Sequence, residues 1–324
     1  MFFPWNPKIF FISLVCLVGA WAASFDLARA ETSERRLAIL AGLEETPKGW
    51  PGFLASLPEA LGPRINSSPR LSFSPEAQGV LAANRLTMAL PDGQLLGALP
   101  GVAMITRVLE ERTPYLLEEF TPIILAPGEP YALLASNKAN FKRLNEANLT
   151  TLTFYHAGLE PIGMGDLLAL SVFKEMGAQP QLTKVETLTP NYTLSDPRAL
   201  VAWPLRLATD LGPEIKIVAV LTDSYAGPCA PPNLDLASQG LKSPLHDYFG
   251  FYFPPKTIQA ETELLGQALT EILASPKALA EAQNNCLAQV NGSLAYPTSE
   301  AMDLLSQELT AQTEFLKTLS LPHE

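Results

Sequence analysis

The sequence has few of the residues that build catalytic and metal sites. It contains 3 histidines and 3 cysteines in 324 residues. It has no Gly-x-Ser-x-Gly elbow, Walker loop, dinucleotide glycine fingerprint or His-Glu-x-x-His helix. No nucleophile–base pair can be assembled from it, and no Cys/His cluster suggests zinc. We therefore expect a protein that is not an enzyme and that uses no cofactor or metal.

Basic charge is also scarce. The sequence has 22 Lys and Arg residues against 33 Asp and Glu residues, which gives a formal net charge of -11. Without a basic stripe to neutralise phosphates, nucleic acid is excluded as a partner. The hydrophobic content of 47% is that of a globular chain, and the length suffices for two modest domains.

The N-terminal segment is typical of a secretory signal peptide. Lys8 precedes an apolar run at 9–25, and Ala-Arg-Ala at 28–30 is a small-x-small cleavage site. We predict a signal peptide over residues 1–30, cut after Ala30, and a periplasmic location. A membrane anchor is the alternative, although the run is slightly short for one and no later stretch is apolar for long enough.

Export changes the interpretation of the cysteines. Cys16 leaves with the signal peptide, whereas Cys229 and Cys286 remain. In an oxidising compartment this pair could form one disulfide. The sequence alone does not place the two residues close together, so two separate buried thiols are the alternative.

One stretch in the middle of the chain has the pattern of a ligand-binding edge. Residues 150–155 predict a strand, 156–165 a glycine-containing loop, and 167–176 an apolar helix. Asp166 is the predicted N-cap, and Gly177 closes the helix. Free backbone N–H groups and the helix dipole favour an anion there. An ordinary strand–helix turn without a ligand is the alternative.

A second unit of the same kind lies near the start of the exported chain. Residues 36–41 predict a strand, 42–49 a loop and 50–61 a helix, while Ser74 predicts the start of a helix that ends near Leu90. Strands alternate with helices along the rest of the chain. This alternation predicts an α/β fold with largely parallel sheets.

Six short segments follow one another along the chain: Ser-Pro-Glu-Ala-Gln-Gly at 74–79, Ala-Leu-Pro-Asp-Gly at 89–93, Phe-Thr-Pro-Ile at 120–123, Phe-Lys-Glu-Met-Gly at 173–177, Phe-Gly-Phe-Tyr-Phe-Pro-Pro at 249–255 and Leu-Ala-Ser-Pro at 273–276. In this order they resemble segments of the periplasmic substrate-binding proteins of tripartite tricarboxylate transporters, the Bug family of solute receptors. The resemblance spans nearly the whole exported chain.

The resemblance implies a type II-like, two-lobed clamshell in which each lobe is a mostly parallel sheet flanked by helices. Residues 31–128 and 251–324 would form the first lobe and 129–250 the second. The hinge would lie near 126–131 and 247–254. The implied protein is a monomer that captures a small organic anion, expected to be a carboxylate, and delivers it to the membrane permease subunits of a tripartite tricarboxylate-type transporter.

In the family, carboxylates are held by backbone N–H groups and ordered water from one loop of each lobe. Carried over by position, the implied ligand-binding residues are Leu43, Glu44, Thr46, Gly49, Pro100, Gly101, Tyr155, His156, Ala157, Gly158, Met164, Gly165, Asp166 and Trp203.

Three of these residues have structural alternatives. His156 could donate to a ligand carboxylate or make only local hydrogen bonds, and Trp203 could wall a pocket or pack in the core. Asp166 could contact ligand or only cap its helix.

The two loops differ from the family pattern. The first loop has one glycine where the family has Gly-Gly, and Met-Gly-Asp-Leu at 164–167 stands where the family has Ser-Ser-Gln-His. The alternative function is therefore an exported interaction or sensory protein that kept the fold.

Overall fold

The computed structural model describes residues 36–296 and 298–319. The strands of this part of the chain form two sheets of five. In chain order they are β1 Ala38–Ala41, β2 Arg70–Phe73, β3 Leu95–Pro100, β4 Thr121–Pro127, β5 Tyr131–Ser136, β6 Thr153–His156, β7 Gln181–Lys184, β8 Ala199–Pro204, β9 Ile215–Val220 and β10 Tyr248–Phe253.

The two sheets have equivalent topologies. Their orders are β2-β1-β3-β10-β4 and β7-β6-β8-β5-β9. In each sheet the first three strands are parallel, and the fourth pairs antiparallel with both of its neighbours. The expected two-lobed α/β fold is confirmed, with mixed sheets. The chain enters β5 and β10 from the other lobe, so no helical crossover within one sheet forces these strands to be parallel.

Helices cover both sheets. They are α1 Gly49–Leu54, α2 Leu57–Ile65, α3 Val80–Thr87, α4 Arg107–Leu109, α5 Met164–Glu175, α6 Pro190–Thr193, α7 Leu205–Ala208, α8 Gln259–Leu273, α9 Pro276–Asn284 and α10 Thr298–Thr318. Within the described ranges, no helix combines the length and apolarity needed to cross a membrane.

Strand β10 shows why the first sheet is buried on both faces. All six of its residues are buried. Phe249, Phe251 and Phe253 pack into one apolar cluster with Trp50, and Tyr248 and Tyr252 pack into another on the opposite face. Because successive strand residues point to opposite faces, this aromatic run supplies both layers of the core.

Two local predictions were wrong. The single helix expected from Ser74 begins instead as a 3-10 turn, in which Ala77 and Gln78 have left-handed φ values of 51° and 58°, and α3 starts only at Val80. The single helix expected over 50–61 is divided into α1 and α2. A proline in the first turn of α2 suits a new helix start there.

The lobes meet where two chain segments cross. The Gly128 N–H donates to the Asp247 carbonyl oxygen at 2.8 Å, and the Glu129 N–H donates to Asp247 Oδ2 at 3.2 Å. Trp50 stacks on Phe249 with ring centroids 4.3 Å apart, and its indole N–H donates to the carbonyl of Pro127 at 3.1 Å. The crossing segments are thus bonded to each other and to the first-lobe core.

The last helix contacts both lobes. Near its start, Ala301 and Leu305 pack into a cluster of the first lobe, and near its end Phe315 packs into the main cluster of the second. Lys174 Nζ of α5 also donates to Thr318 Oγ1 at 2.8 Å. The lobe boundaries expected from the sequence stay a prediction, and α10 connects the two lobes outside the hinge.

A disulfide joins Cys229 to Cys286, with Cα atoms 5.5 Å apart. Cys229 packs against the second-lobe cluster that contains Val220, whereas Leu287, next to Cys286, lies in the first-lobe core. Of the two states left open by the sequence, the structure has the bonded one. The bond crosses from one lobe to the other.

We expect Gly128→Ala to destabilise the protein by about 1–3 kcal/mol. A Cβ at this position would lie 2.3 Å from Asp247 Cγ and 2.7 Å from the Asp247 carbonyl carbon, so the crossing segments would have to separate. Denaturant unfolding measures the loss. The matched control is Gly212→Ala, whose Cβ would meet no atom within 4 Å. Equal stabilities of the two variants would contradict this account of the crossing.

We expect the double variant Cys229→Ser, Cys286→Ser to lose about 2–4 kcal/mol of unfolding free energy, because the bond closes a long loop in the unfolded chain. The sequence separation of the two cysteines is 57. Reductant should lower the unfolding midpoint of the wild-type protein and leave that of the double variant unchanged. A wild-type midpoint that does not respond to full reduction would show that the bond adds no stability.

Candidate functional site

A cavity of about 270 Å³ lies at the crossing of the two lobes. Its residues come from the segments that follow β1, β2 and β3 in the first lobe, from the crossing segments and from the helix starts of the second lobe. The apolar side chains in its wall are Leu43, Trp50, Pro51, Pro75, Pro100, Val102, Met164, Tyr248 and Phe249. An apolar, enclosed cleft with a few converging polar groups is the usual form of a small-molecule site.

Three charged side chains converge on the floor of this cleft: Glu129, Arg206 and Asp247. Arg206 Nε forms an ion pair with Glu129 Oε1, and the Glu129 backbone N–H bonds Asp247 Oδ2. These two contacts connect the three residues to one another. Arg206 Nη1 and Asp247 Oδ1 are inaccessible to water; among the described residues Nη1 has no acceptor and Oδ1 has no donor.

Burial is the main cause of the pKa shifts of the residues on the cleft floor. It raises the pKa of Asp247 to about 8, with the Glu129 charge as the second cause. It also raises the pKa of Glu129, although Arg206 opposes the rise. The Tyr131 hydroxyl, which lines the same cleft, has a pKa raised well above its usual value by burial and then by the two carboxylates. A positively charged partner would lower the raised pKa values of these two carboxyl groups.

Contacts between the lobes flank the cleft on two sides. Lys48 Nζ of the first loop pairs with Asp210 of the second lobe at 2.9 Å. Elsewhere, Arg107 Nη2 donates to the carbonyl of Ile162 at 2.8 Å, and the Ile162 N–H donates to Glu110 Oε1 at 3.0 Å. Arg107 is buried and also pairs with Glu110 at 2.6 Å. The arrangement holds the lobes together over the cavity.

Four of the fourteen residues expected to bind ligand line the cavity: Leu43, Glu44, Pro100 and Met164. Thr46 instead donates its hydroxyl hydrogen to the carbonyl of Lys48 at 2.9 Å. The other nine do not line the cavity.

Three of these nine are glycines that pack directly behind its wall. A Cβ on Gly49 would lie 2.5 Å from Arg206 Cδ, and one on Gly165 would lie 2.6 Å from the Tyr131 ring. A Cβ on Gly101 would meet the backbone of Tyr248 at 2.7 Å. The missing side chains allow these polar and aromatic groups to approach the cleft.

The other predicted residues, at the ends of β6 and β8, are not among those that line the cavity. Tyr155 and Trp203 pack against an apolar cluster of the second lobe, as the core alternative for Trp203 predicts. Ala157 is exposed and Gly158 is half-buried. Their part in ligand binding stays a prediction.

His156 is buried at the end of β6. Burial lowers its pKa, and the nearby Lys184 charge lowers it further, so the ring is neutral at pH 7. Its Nδ1 has no hydrogen-bond partner among the described residues. His156 is not among the residues that line the cavity, and its ring pairs with no carboxylate of the described residues.

The expectation that Asp166 is an N-cap was wrong. Helix α5 begins at Met164 with Gly163 at the N-cap, so Asp166 is the third residue of the helix. The helix starts earlier because Met164 packs into the second-lobe core. Asp166 is buried, and burial raises its pKa to about 7.

Sequence reasoning missed the charged floor. Glu129 lies in the Pro-Gly-Glu-Pro turn between β4 and β5, and Arg206 follows the Trp-Pro end of β8. A charged residue directly after a predicted strand was the available signal. Asp247 gave no such signal, because it enters the cleft only through the return crossing into β10.

No group of three or more His, Cys, Asp or Glu residues in the described ranges could hold a metal ion. The predicted signal peptide and its cleavage site after Ala30 lie outside the described residues.

Neither a family model nor a curated protein matches the sequence. Solved structures do match. A TctC solute-binding protein from Polaromonas, without ligand, is 12% identical over 89% of this chain and 100% of its own, with a TM-score of 0.72. MatC from Rhodopseudomonas palustris with bound malate is 16% identical over 87% of this chain and 99% of its own, with a TM-score of 0.63.

The periplasmic binding protein BugD is also 16% identical, over 88% of this chain and 97% of its own, with a TM-score of 0.63. The chain has the fold of the TctC and Bug solute-binding proteins. In this TctC/Bug-type fold, the cavity lies between the lobes and at their crossing. At these identities the similarity establishes the fold alone.

We expect Asp166→Asn to become more stabilising relative to wild type as pH rises from about 4 to 7. The folded pKa of about 7 exceeds the unfolded value of about 3.9, so folded wild-type protein holds an extra proton in this range and loses stability as pH increases. The difference should approach at most about 4 kcal/mol above pH 8. Urea unfolding at several pH values measures it, with exposed Asp303→Asn as the control. A difference that does not change with pH would contradict the assignment.

Proposed function

We propose that the protein is a periplasmic solute-binding protein of the tripartite tricarboxylate transporter type, which captures a small carboxylate between its lobes. The observation that carries this proposal is Arg206 on the cleft floor. Its Nη1 is buried without a hydrogen-bond partner among the described residues, and a guanidinium is the side chain best suited to grip a carboxylate.

The structural similarities support the proposal. Both TctC and BugD are described as binding proteins, and MatC was solved with malate, a carboxylate. Under this proposal, residues 1–30 direct export to the periplasm, and membrane permease subunits of such a transporter receive the solute. The receptor role needs no reaction, in accord with the absence of recognisable catalytic motifs.

Ligand capture would act on the equilibrium between open and closed lobes. The hinge proposed near 126–131 and 247–254 contains the crossing at Gly128 and Asp247. The cleft floor and the contacts of Lys48 and Arg107 lie between the same two lobes. A ligand that bridges the lobes binds the closed form more tightly and therefore populates it.

The test is a calorimetric and thermal-shift screen of the purified protein against small carboxylates. A solute at about a hundred times its dissociation constant adds about 2.7 kcal/mol, which should raise the unfolding midpoint by several degrees. Arg206→Lys keeps the charge but loses the planar fork, so we expect about tenfold weaker binding or more. The control is Arg198→Lys, at an exposed ion pair with Asp196.

X-ray scattering provides an independent check, because solute should make the particle more compact. If no small carboxylate shifts the midpoint or compacts the particle, the receptor proposal fails. The second candidate is then an exported interaction or sensory protein. Recovery of a membrane sensor and no permease in a cross-linking experiment would support that function.

A further inference from the structure

The cleft contains more acidic than basic charge. Glu44, Glu129 and Asp247 line it, against the single cation Arg206. Arg206 is already paired with Glu129, so Asp247 has no cationic partner of its own in the cleft. A positively charged ligand group would let buried Asp247 ionise, whereas a ligand that carries only negative charge would not.

Two unused polar atoms specify opposite ligand groups. Arg206 Nη1 is a cationic donor without an acceptor among the described residues, and Asp247 Oδ1 is a carboxyl oxygen without a donor. Both atoms are inaccessible to water, and both side chains line the same cavity. Leaving such groups unpaired costs free energy, which a ligand bearing both complements would recover.

The remaining wall is apolar. Trp50, Val102, Met164 and Phe249 surround the charged floor with hydrophobic surface. A ligand side chain pointing away from the floor would therefore be buried among aromatic and aliphatic groups, where a second charge is unfavourable and an apolar group gains from burial.

We propose that the ligand of this cleft is a zwitterionic amino acid with an apolar side chain, whose carboxylate binds Arg206 and whose ammonium group binds Asp247. This inference rests on the proposed receptor function and adds the ligand's second charge and its side-chain class. It makes Asp247 the residue that distinguishes an amino acid from the corresponding simple carboxylate.

Other occupants fit the same groups less well. A dicarboxylate would satisfy Arg206 but would give buried Asp247 no cationic partner, so that carboxyl would stay protonated. A simple amine would satisfy Asp247 and leave Arg206 Nη1 unpaired. A metal ion has no support, because the described ranges contain no set of three side chains able to hold one.

Binding of an ammonium group should change the protonation state of Asp247. At pH 7 Asp247 is mostly protonated, because burial raises its pKa to about 8. An ammonium group beside it favours the carboxylate, so binding should release up to about one proton. The titratable and charged groups that surround Asp247 are Glu129, Tyr131, Arg206, His246 and Glu308.

The experiment compares three matched compounds by calorimetry: L-leucine, 4-methylpentanoate, which lacks the amino group, and 3-methylbutylamine, which lacks the carboxylate. L-aspartate and succinate form a second pair with an acidic side chain. We expect leucine to bind at least about tenfold more tightly than either of its analogues and than aspartate. Titration in buffers of different ionisation enthalpy should show proton release with leucine.

Asp247→Asn tests the assigned contact while retaining an oxygen that can accept from the Glu129 N–H. It should weaken leucine binding about tenfold and abolish proton release, with little effect on 4-methylpentanoate. The control Asp303→Asn lies on the exposed surface of α10 and should bind leucine as the wild type does.

The outcomes separate the two proposals. If 4-methylpentanoate or succinate binds as tightly as leucine, the amino-acid inference is overturned but the proposed receptor function stands. If 3-methylbutylamine binds as tightly as leucine, the amino-acid inference is also overturned. If none of the compounds binds to folded wild-type protein and no small carboxylate does, both proposals fail. The comparison of leucine with its analogues uses the wild-type protein. It can therefore refute the inference even if Asp247→Asn does not fold.

Discussion

The structure depends on the close contact between Gly128 and Asp247, where the chain crosses between the lobes. The two backbones are hydrogen-bonded there, and a Cβ on the glycine would overlap the aspartate side chain. This contact brings β10 back into the first sheet beside β4 and places Asp247 at the floor of the cleft. One steric constraint thus sets both the sheet topology and the position of a cleft carboxyl.

The same crossing creates an electrostatic cost. Carboxyl groups on both segments are removed from water, and one guanidinium from the second lobe compensates only one of them. Burial then raises the pKa of the uncompensated group. Under the proposed receptor function, a ligand would supply the missing partners of these groups, and a ligand that bridges the lobes would favour closure.

Four further connections restrain the lobes outside the crossing. The disulfide joins loops of different lobes, and the last helix packs on both. The pair of Lys48 with Asp210 and the hydrogen bonds of Arg107 and Glu110 with Ile162 also bridge the lobes. These connections differ in strength: a covalent bond persists in an oxidising compartment, whereas an exposed ion pair contributes little and is weakened by salt. The exposed ion pair is therefore the weakest of these restraints.

The sequence by itself determined the order of strands and helices and the α/β class, because apolar periodicity and turn residues act over short distances. It did not specify the turn at Ala77, nor the helix start at Met164, where packing prevailed over the capping preference of Asp166. Only the tertiary structure decided the cleft chemistry. Glu129, Arg206 and Asp247 are far apart in the chain, and the lobe crossing that joins them leaves no local pattern in the sequence.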